Sequence, residues 1–454
     1  MKEHVLVIGA AKSGVAVAKL LQRHGYDVTI TDMNAIRELE ELQTLGIHVF
    51  EKGHPEELKR ENYAFVVKNP GIKYTVPFVR YFVEHKVKIL TEVEIGYRYA
   101  TKFKYGAVTG TNGKTTITTM LYEMLKYNHK AIVAGNIGWP LSELALAYED
   151  EEKDVALELS NFQLLGIEHF APHVSVVCNL APDHLDYMPS VESYYESKMR
   201  IYENCTEDDW FLRNVDDATV MQYAQHIPCK VIDFSLTRQD VDLYRKDGTV
   251  YLHELALFEE KNFHVVGDYN LSNAMIASCM AYKLGVSVSD IQKAIAAFSP
   301  VEHRLEYIGE KNGVKFYNDS KATNTHAVAA ALNSFNKNII LLAGGHDKGI
   351  SFEDLKQYDE RVKLCVAFGE TGPQFQDIFS CVQVVETMQE ALDAAVANSK
   401  EQDIVLLSPA CSSYDQFPNY EVRGALFKEM VRKWLTDRMP LIIPAIRPVV
   451  TVPW

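Results

Sequence analysis

Short apolar runs, each closed by glycine or a polar cluster, recur along this chain. Between them lie longer stretches in which apolar residues return every three or four positions. The first pattern predicts strands buried on both faces, the second helices with one apolar stripe. Residues 5–9 predict a strand, 13–24 a helix, 27–31 a strand ending at Asp32, 64–67 a strand ending at Asn69-Pro70-Gly71, and 88–90 another strand. A second block opens near Tyr105 and passes through a glycine-rich turn into a helix over 117–126. Strands follow at 154–159 and 173–179, each with polar residues at its C-terminal end. More β structure is expected at 231–234 and 249–254, and a helix over 270–283. The unit changes near Phe298-Ser299-Pro300, and strands at 315–317, 338–343, 364–368 and 404–407 make a third block. Such alternation predicts an α/β chain with mostly parallel, doubly wound sheets.

At 454 residues the chain has room for about three domains of ~150 residues. The divisions expected are an N-terminal Rossmann-like domain over 1–95, a central P-loop ATPase-type α/β domain over 96–299, and a C-terminal Rossmann-like α/β domain over 300–454. The net charge of −15 argues against a nucleic-acid partner, which needs a basic footprint. An anionic substrate must then be met by local lysines, arginines and helix N-termini. Seven widely spaced cysteines without a Cys-x-x-Cys pair fit reduced thiols in a cytoplasmic protein. The apolar run at 5–8 is too short for a signal peptide, and no stretch approaches the ~20 apolar residues of a membrane helix. The apolar tail from about 437 holds four prolines over 440–454 and reads as an extension with no assigned role rather than an anchor.

The strongest chemical signal is Val108-Thr109-Gly110-Thr111-Asn112-Gly113-Lys114-Thr115-Thr116, placed between a strand and a helix. Glycines let backbone N–H groups converge on phosphate, the helix N-terminus adds positive charge, the lysine reaches the β- and γ-phosphates, and the threonine hydroxyl can hold Mg²⁺. Val108 stands where the strict pattern has its first glycine. A weaker signal is Gly9-Ala10-Ala11-Lys12-Ser13-Gly14, followed by Asp32 at the end of the second strand. It fits a nucleotide diphosphate on the first helix, but also a bare strand–helix turn; Asp32 could equally be a helix N-cap.

Further candidates sit after strands or at helix starts, where loops carry function. Glu158 and the segment Asp183-His184-Leu185-Asp186 close neighbouring strands, so a carboxylate and an imidazole could meet at one Mg²⁺. Each also has a plain reading, as a surface acid and a capping residue. Lys198 shares a helix face with Tyr194, Tyr195 and Ile201, and by pattern alone it is a lysine covering an amphipathic helix. Asn270 and Asn273 lie three apart at a helix start. The remaining clusters are His303-Arg304, residues 318–324, Gly344-Gly345-His346-Asp347-Lys348-Gly349, and residues 407–417. A regulatory P-loop NTPase and a dinucleotide-dependent dehydrogenase remain open; the second leaves the Gly-Lys-Thr loop idle.

Together the 109–116 loop, the Glu158 strand, Asp183–Asp186, the Lys198 segment, His303-Arg304 and residues 319–324 resemble the Mur ligases, over about residues 4–435. Lys68-Asn69-Pro70-Gly71-Ile72, residues 158–164, and residues 408–417 running on to Asn419-Tyr420-Glu421-Val422-Arg423-Gly424 resemble the member that adds D-glutamate. A sister ligase or a folylpolyglutamate-type ligase would share the central motifs.

The resemblance implies a cytoplasmic, monomeric, ATP-dependent ligase. Its substrates would be UDP-N-acetylmuramoyl-L-alanine and D-glutamate, with two Mg²⁺ ions and no membrane insertion. It implies ATP contacts at Gly110, Thr111, Asn112, Gly113, Lys114, Thr115, Thr116, Asn270, Asn273, Arg304 and Asp319. Metal ligands would be Thr115, Glu158, His184 and a carbamylated Lys198. Catalysis would rest on Lys114, Asn136, His184 and Lys198. D-Glutamate would meet Lys321, Thr323, Lys348, Ser413 and Tyr420, and the UDP substrate Ser13, Gly14, Asp32, Gly71 and Asn136. Asp32-Met33-Asn34 lacks the basic residue expected right after the acid.

Overall fold

The computed structural model describes residues 2–60, 62–183, 187–299 and 301–436. His184 and the tail from 437 therefore lie outside the described residues. The chain divides into two compact units, Met1–Val265 with Asn270–Ser299 and Val266–Tyr269 with Pro300–Trp454. No described helix is long and apolar enough to cross a membrane.

The first unit holds two sheets. One is built of β1 (His4–Ile8), β2 (Asp27–Thr31), β3 (His48–Phe50), β4 (Phe65–Lys68) and β5 (Ile89–Leu90), in spatial order β3-β2-β1-β4-β5 and all parallel. The chain reverses its direction of travel across the sheet between β1 and β4, so their C-terminal ends open a crevice suited to a ligand. Val5 to Ile8 are fully buried, as expected for a strand covered on both faces.

The second sheet contains β6 (Phe103–Thr109), β7 (Ala131–Gly135), β8 (Lys153–Glu158), β9 (Val174–Val177), β10 (Trp210–Asn214), β11 (Lys230–Ser235), β12 (Leu243–Lys246), β13 (Thr249–Leu252) and β14 (Leu255–Glu259). Its order is β14-β13-β12-β11-β10-β9-β6-β8-β7, with β12 to β14 an antiparallel extension of a parallel sheet. β6 sits centrally, which places the loop that follows it amid the C-terminal ends of β8 and β9.

The second unit carries β15 (Glu306–Lys311), β16 (Val314–Asn318), β17 (Ile339–Gly344), β18 (Val362–Phe368), β19 (Val382–Val384) and β20 (Ile404–Leu407). Its order is β15-β16-β20-β17-β18-β19, parallel except for the β15–β16 hairpin. The α/β class and the parallel character predicted from sequence hold in all three sheets. Patterning passed over β3, β7, β10, β12, β14, β15 and β19. β7 is only half buried along most of its length, so its apolar signal is diluted at the sheet edge.

Two helices join the sheets of the first unit. Gly96, in Glu92–Tyr99, lies so near Leu141–Tyr148 that a Cβ there would come within 2.8 Å of the Ser142 backbone nitrogen. At this contact Ser142 donates its backbone N–H to the Glu92 carboxylate and its hydroxyl to the Glu92 carbonyl, 3.2 Å away. Burial pushes the Glu92 carboxyl up to about 7. The folded chain thus keeps a proton there that the unfolded chain releases at its ordinary value near 4.5. Stability contributed by this group falls as pH rises from 4.5 through 7, by on the order of 3 kcal/mol. Glu92→Gln should remove this slope. Thermal melts at pH 5 and pH 8 should show the variant gaining several degrees on the parent chain at the higher pH; a constant offset would contradict the assignment.

Candidate active site

β6 delivers the phosphate loop, and the 12-residue helix Lys114–Leu125 leaves it. The helix starts three residues earlier than its apolar pattern suggests, because Lys114, Thr115 and Thr116 form its first turn. Gly113 is its left-handed N-cap at φ +89°, with no capping side chain. The N-cap residue itself thus competes with no ligand for this helix end, whose partial positive charge suits anions. Gly110 sits at φ +141°, and a Cβ there would lie 3.1 Å from the Cys178 nitrogen, so only glycine fits. Asn179, after β9, clamps the loop: its Oδ1 accepts from Asn112 N–H at 2.9 Å and its amide donates back to Asn112 O at 2.9 Å. Thr111 N–H is held by Asn179 O at 3.0 Å.

Two lysines converge on this loop. Lys114 Nζ donates to Gly110 O at 3.0 Å and Thr111 O at 2.9 Å, and Lys198 Nζ donates to the same Gly110 O at 2.9 Å. Lys198 comes from Val191–Met199, a helix capped by a reciprocal Ser190–Ser193 box, and packs over the Tyr194 ring. It is 1% exposed, so the reading of a lysine covering a solvent-facing helix is wrong. Burial, then the neighbouring Lys114 charge, pushes its amine well below the usual lysine range. Pattern could not reveal this: the helix face that looked like a surface stripe is packed under the phosphate loop.

Glu158 ends β8, paired with Val108 of β6. It is buried; Oε1 accepts from the Asn136 amide at 2.8 Å, whereas Oε2 has no hydrogen-bond partner among the described residues. A buried carboxylate oxygen with unused lone pairs, beside a loop bearing the Thr115 hydroxyl, is the hard oxygen donor set that suits Mg²⁺. Asn136 itself is fixed by its N–H on Glu158 O, 2.9 Å. Asn270 and Asn273 lie buried on Asp268–Lys283, and the Asn273 amide nitrogen lacks a partner. Elsewhere Glu94, Glu168 and His169 bring three ligand atoms within 4.8 Å. That cluster is structural: Glu94 already receives the N–H groups of Glu168, His169 and Phe170 and the Arg98 guanidinium.

At the C-terminal edge of the first sheet, just after β2, Asp32 accepts Ala10 N–H at 2.7 Å and Asn34 N–H at 2.8 Å. It clasps the glycine turn and caps no helix, since the next helix begins at Leu39. Gly14 packs onto Gly9, where a Cβ would meet the Gly9 oxygen. Ser13 Oγ accepts from the Asn69 amide at 3.2 Å, and Asn69 Oδ1 accepts Gly71 N–H at 3.1 Å. Sequence reading gave no role to Lys68, which is fully buried and donates to the carbonyls of Asn69 and Ile72 at 3.0 and 2.6 Å. The Tyr187 hydroxyl donates to Ile72 O as well, at 2.6 Å. Burial lowers the Lys68 amine to about 8.

In the second unit Asp319 is buried, accepts from Ser408 Oγ at 2.8 Å and Leu305 N–H at 3.1 Å, and is pushed up to about 7 by burial. Lys321 lies over the Tyr420 ring, 5.0 Å from its centre. Lys348 is exposed and donates to Thr323 O at 3.3 Å; Ser413 is buried after β20. Arg423, to which sequence reading gave no role, is wholly buried. It ties the two loops together through Ser320 O at 2.8 Å, Cys411 O at 3.0 Å and Ser412 O at 3.2 Å. Only its place in a run of otherwise ordinary helix residues marked it in the sequence.

Fold and site thus define a phosphate-loop protein with parallel sheets and an open carboxylate oxygen beside its loop. Residues 108–281 match the Mur ligase middle domain, and 303–411 the Mur ligase glutamate ligase domain. The chain is 41% identical over 441 residues to the UDP-N-acetylmuramoylalanine–D-glutamate ligase of Bacillus cereus strain G9842, covering 95% of this chain and 98% of that one. Identity to the ligase of the same name from Bacillus subtilis strain 168 is 38%, covering 95% and 97%. Among solved structures, MurF of Acinetobacter baumannii superposes with TM-score 0.61 at 15% identity, over 94% of this chain and 93% of that one. MurC of Thermotoga maritima gives 0.57 at 18%, over 96% and 100%. The chain belongs to the Mur ligase family.

Lys114→Ala should leave the fold intact, because Lys114 packs no core, yet cut ADP release by at least about 10³-fold through lost stabilisation of transferring phosphate. Coupled-enzyme measurement of ADP, with a melting curve as control, checks this; unchanged ADP release would overturn the loop's role.

Proposed function

We infer that this chain is an ATP-dependent ligase that adds D-glutamate to UDP-N-acetylmuramoyl-L-alanine in peptidoglycan precursor synthesis. The observation that carries the chemistry is the convergence of Lys114, Lys198 and the open Glu158 oxygen on one phosphate loop. The named relatives support the choice of substrates. The alanine carboxylate attacks the γ-phosphorus of ATP, an O–P bond forms, and ADP leaves with the electrons of the broken bond. The D-glutamate amine then attacks the acyl phosphate carbon, loses a proton, and inorganic phosphate departs as the amide forms.

Phosphoryl transfer needs positioning and charge neutralisation above all. In this reading Gly110 to Thr116 cradle the phosphates and Lys114 neutralises the β- and γ-oxygens. Asn136 orients the acceptor beside Glu158. Thr115 and Glu158 would hold one Mg²⁺, and His184 with a carbamylated Lys198 a second; the ions would neutralise charge on the entering and leaving oxygens. A carbamate needs a neutral amine to capture CO₂, and the buried, charge-crowded position of Lys198 favours that form. Asn270, Asn273, Arg304 and Asp319 are assigned to the nucleoside of ATP, and Lys321, Thr323, Lys348, Ser413 and Tyr420 to the D-glutamate carboxylates. Ser13, Gly14, Asp32 and Gly71 are assigned to the UDP moiety. The corresponding domains are 1–95, 96–299 and 300–454, in a monomeric, cytoplasmic enzyme.

Phosphate release with UDP-N-acetylmuramoyl-L-alanine should depend on D-glutamate. L-Glutamate, glycine and meso-diaminopimelate should be poorer by about 10²-fold or more: glycine leaves the donors for a second carboxylate unmatched, L-glutamate presents its amine and carboxylates with the opposite hand, and meso-diaminopimelate is longer and brings an extra ammonium. An equal rate with another amino acid would move the chain to a sister activity. Lys198→Ala should be nearly inactive and partly rescued by acetate, whereas Lys198→Arg keeps a cation in the ligand position and should not be. Full activity of Lys198→Ala would remove the carbamate from the mechanism.

A further inference from the structure

The glycine turn after β1 and the Asn136 turn after β7 belong to different sheets, yet they touch. Lys12 Nζ lies 3.7 Å from the centre of the Trp139 ring. Lys12 opens the helix Lys12–Arg23, immediately before Ser13, and the N-cap of that helix supplies no side-chain acceptor. Trp139 stands in the turn that carries Asn136: its carbonyl accepts Gly135 N–H at 3.0 Å, and Gly138 takes φ +73°. Half of the indole, 50%, remains exposed, and Lys12 is exposed too. The contact marks the place where the C-terminal edges of two parallel sheets meet, the edge at which open α/β sheets bind ligands. Lys12 has no ion-pair partner among the described residues; the aromatic face holds its ammonium.

We propose that Lys12 and Trp139 form a cation–aromatic bracket that recognises the diphosphate–sugar portion of the nucleotide-linked acceptor. The inference rests on the acceptor assigned above. An ammonium held only by a ring face is free to swing onto a diphosphate, with a charge-assisted bond as the gain. The vacated indole face is then available to the apolar C–H face of a sugar ring. Because the two residues come from turns bearing Ser13 and Asn136, the bracket fixes the reactive end of the acceptor relative to its nucleotide end. Both residues touch substrate in this scheme and act on its binding.

The test uses the full chain without ATP. Titration with UDP-N-acetylmuramoyl-L-alanine should give a saturable change in tryptophan emission that Trp139→Phe abolishes while melting unchanged. In steady state, Lys12→Met should raise KM for the acceptor about tenfold, the loss of one phosphate-directed cation, with KM for ATP and D-glutamate unmoved. Trp139→Ala should raise the same KM, and Trp139→Phe should restore most of it. Wild-type turnover with acceptor KM unchanged in Lys12→Met and Trp139→Ala would overturn the bracket alone. No turnover of the wild type with this acceptor would overturn the parent function, and the bracket with it.

Discussion

One carbonyl oxygen, that of Gly110, accepts from the amines of both Lys114 and Lys198. Two ammonium groups on one buried oxygen repel each other, and the local medium screens them poorly. The arrangement is eased because burial, with the neighbouring Lys114 charge, pushes the Lys198 amine well below the usual lysine range. It also fixes the backbone, because Gly110 can hold that carbonyl in place only at a φ of +141° that other residues avoid. The clamp by Asn179, the packing of Cys178 under the loop and the position of Glu158 beside Val108 all follow from that geometry.

Main-chain carbonyls receive other cations of this acidic chain too. Lys68, Lys348 and Arg423 donate to main-chain carbonyls as well, and none has a carboxylate ion-pair partner among the described residues. A carbonyl satisfies the donor's hydrogen-bonding need without cancelling its charge. Each of these cations therefore keeps its field uncancelled, and a chain of net charge −15 still holds local positive sites. The cost is desolvation, which lowers the Lys68 amine to about 8 and the Arg423 guanidinium to about 10. Other surface cations, such as Arg80 with Glu84 and Lys356 with Glu353, pair directly with acids. Exposed pairs of that kind contribute little to stability.

The parts of this molecule legible in sequence are those governed by local rules. The buried parallel strands announced themselves as apolar runs, and the phosphate loop as glycines placed between a strand and a helix. Asp32 was legible as a residue at the right strand end, but its work was not: its oxygens hold the backbone of its own turn and a neighbouring one. Edge strands such as β7 and β3 were missed because half-buried residues carry a weak apolar period. The long-range partners of Lys68 and Arg423 were invisible for a different reason. Tyr187 stands 119 positions from Lys68, and Ser320 stands 103 from Arg423; no local pattern encodes such pairings.

Lys198 shows most clearly where patterning stops. A lysine in the last turn of a helix is ordinarily a surface cation favoured by the helix dipole. Here the helix Val191–Met199 buries Tyr194, Tyr195, Ser197, Lys198 and Met199 together, so polar and apolar positions alike face inward. Periodicity separates inside from outside only when the interior is apolar. At a site that must hold phosphates and metal ions the interior is polar, and the amphipathic code inverts. The resemblance of the surrounding motifs pointed to Lys198 where the residue pattern alone pointed away. Its burial beneath Gly110, where desolvation and a second lysine push its amine well below the usual lysine range, is what the helical period could not carry, since a lysine serving only the fold ordinarily keeps its ammonium in water.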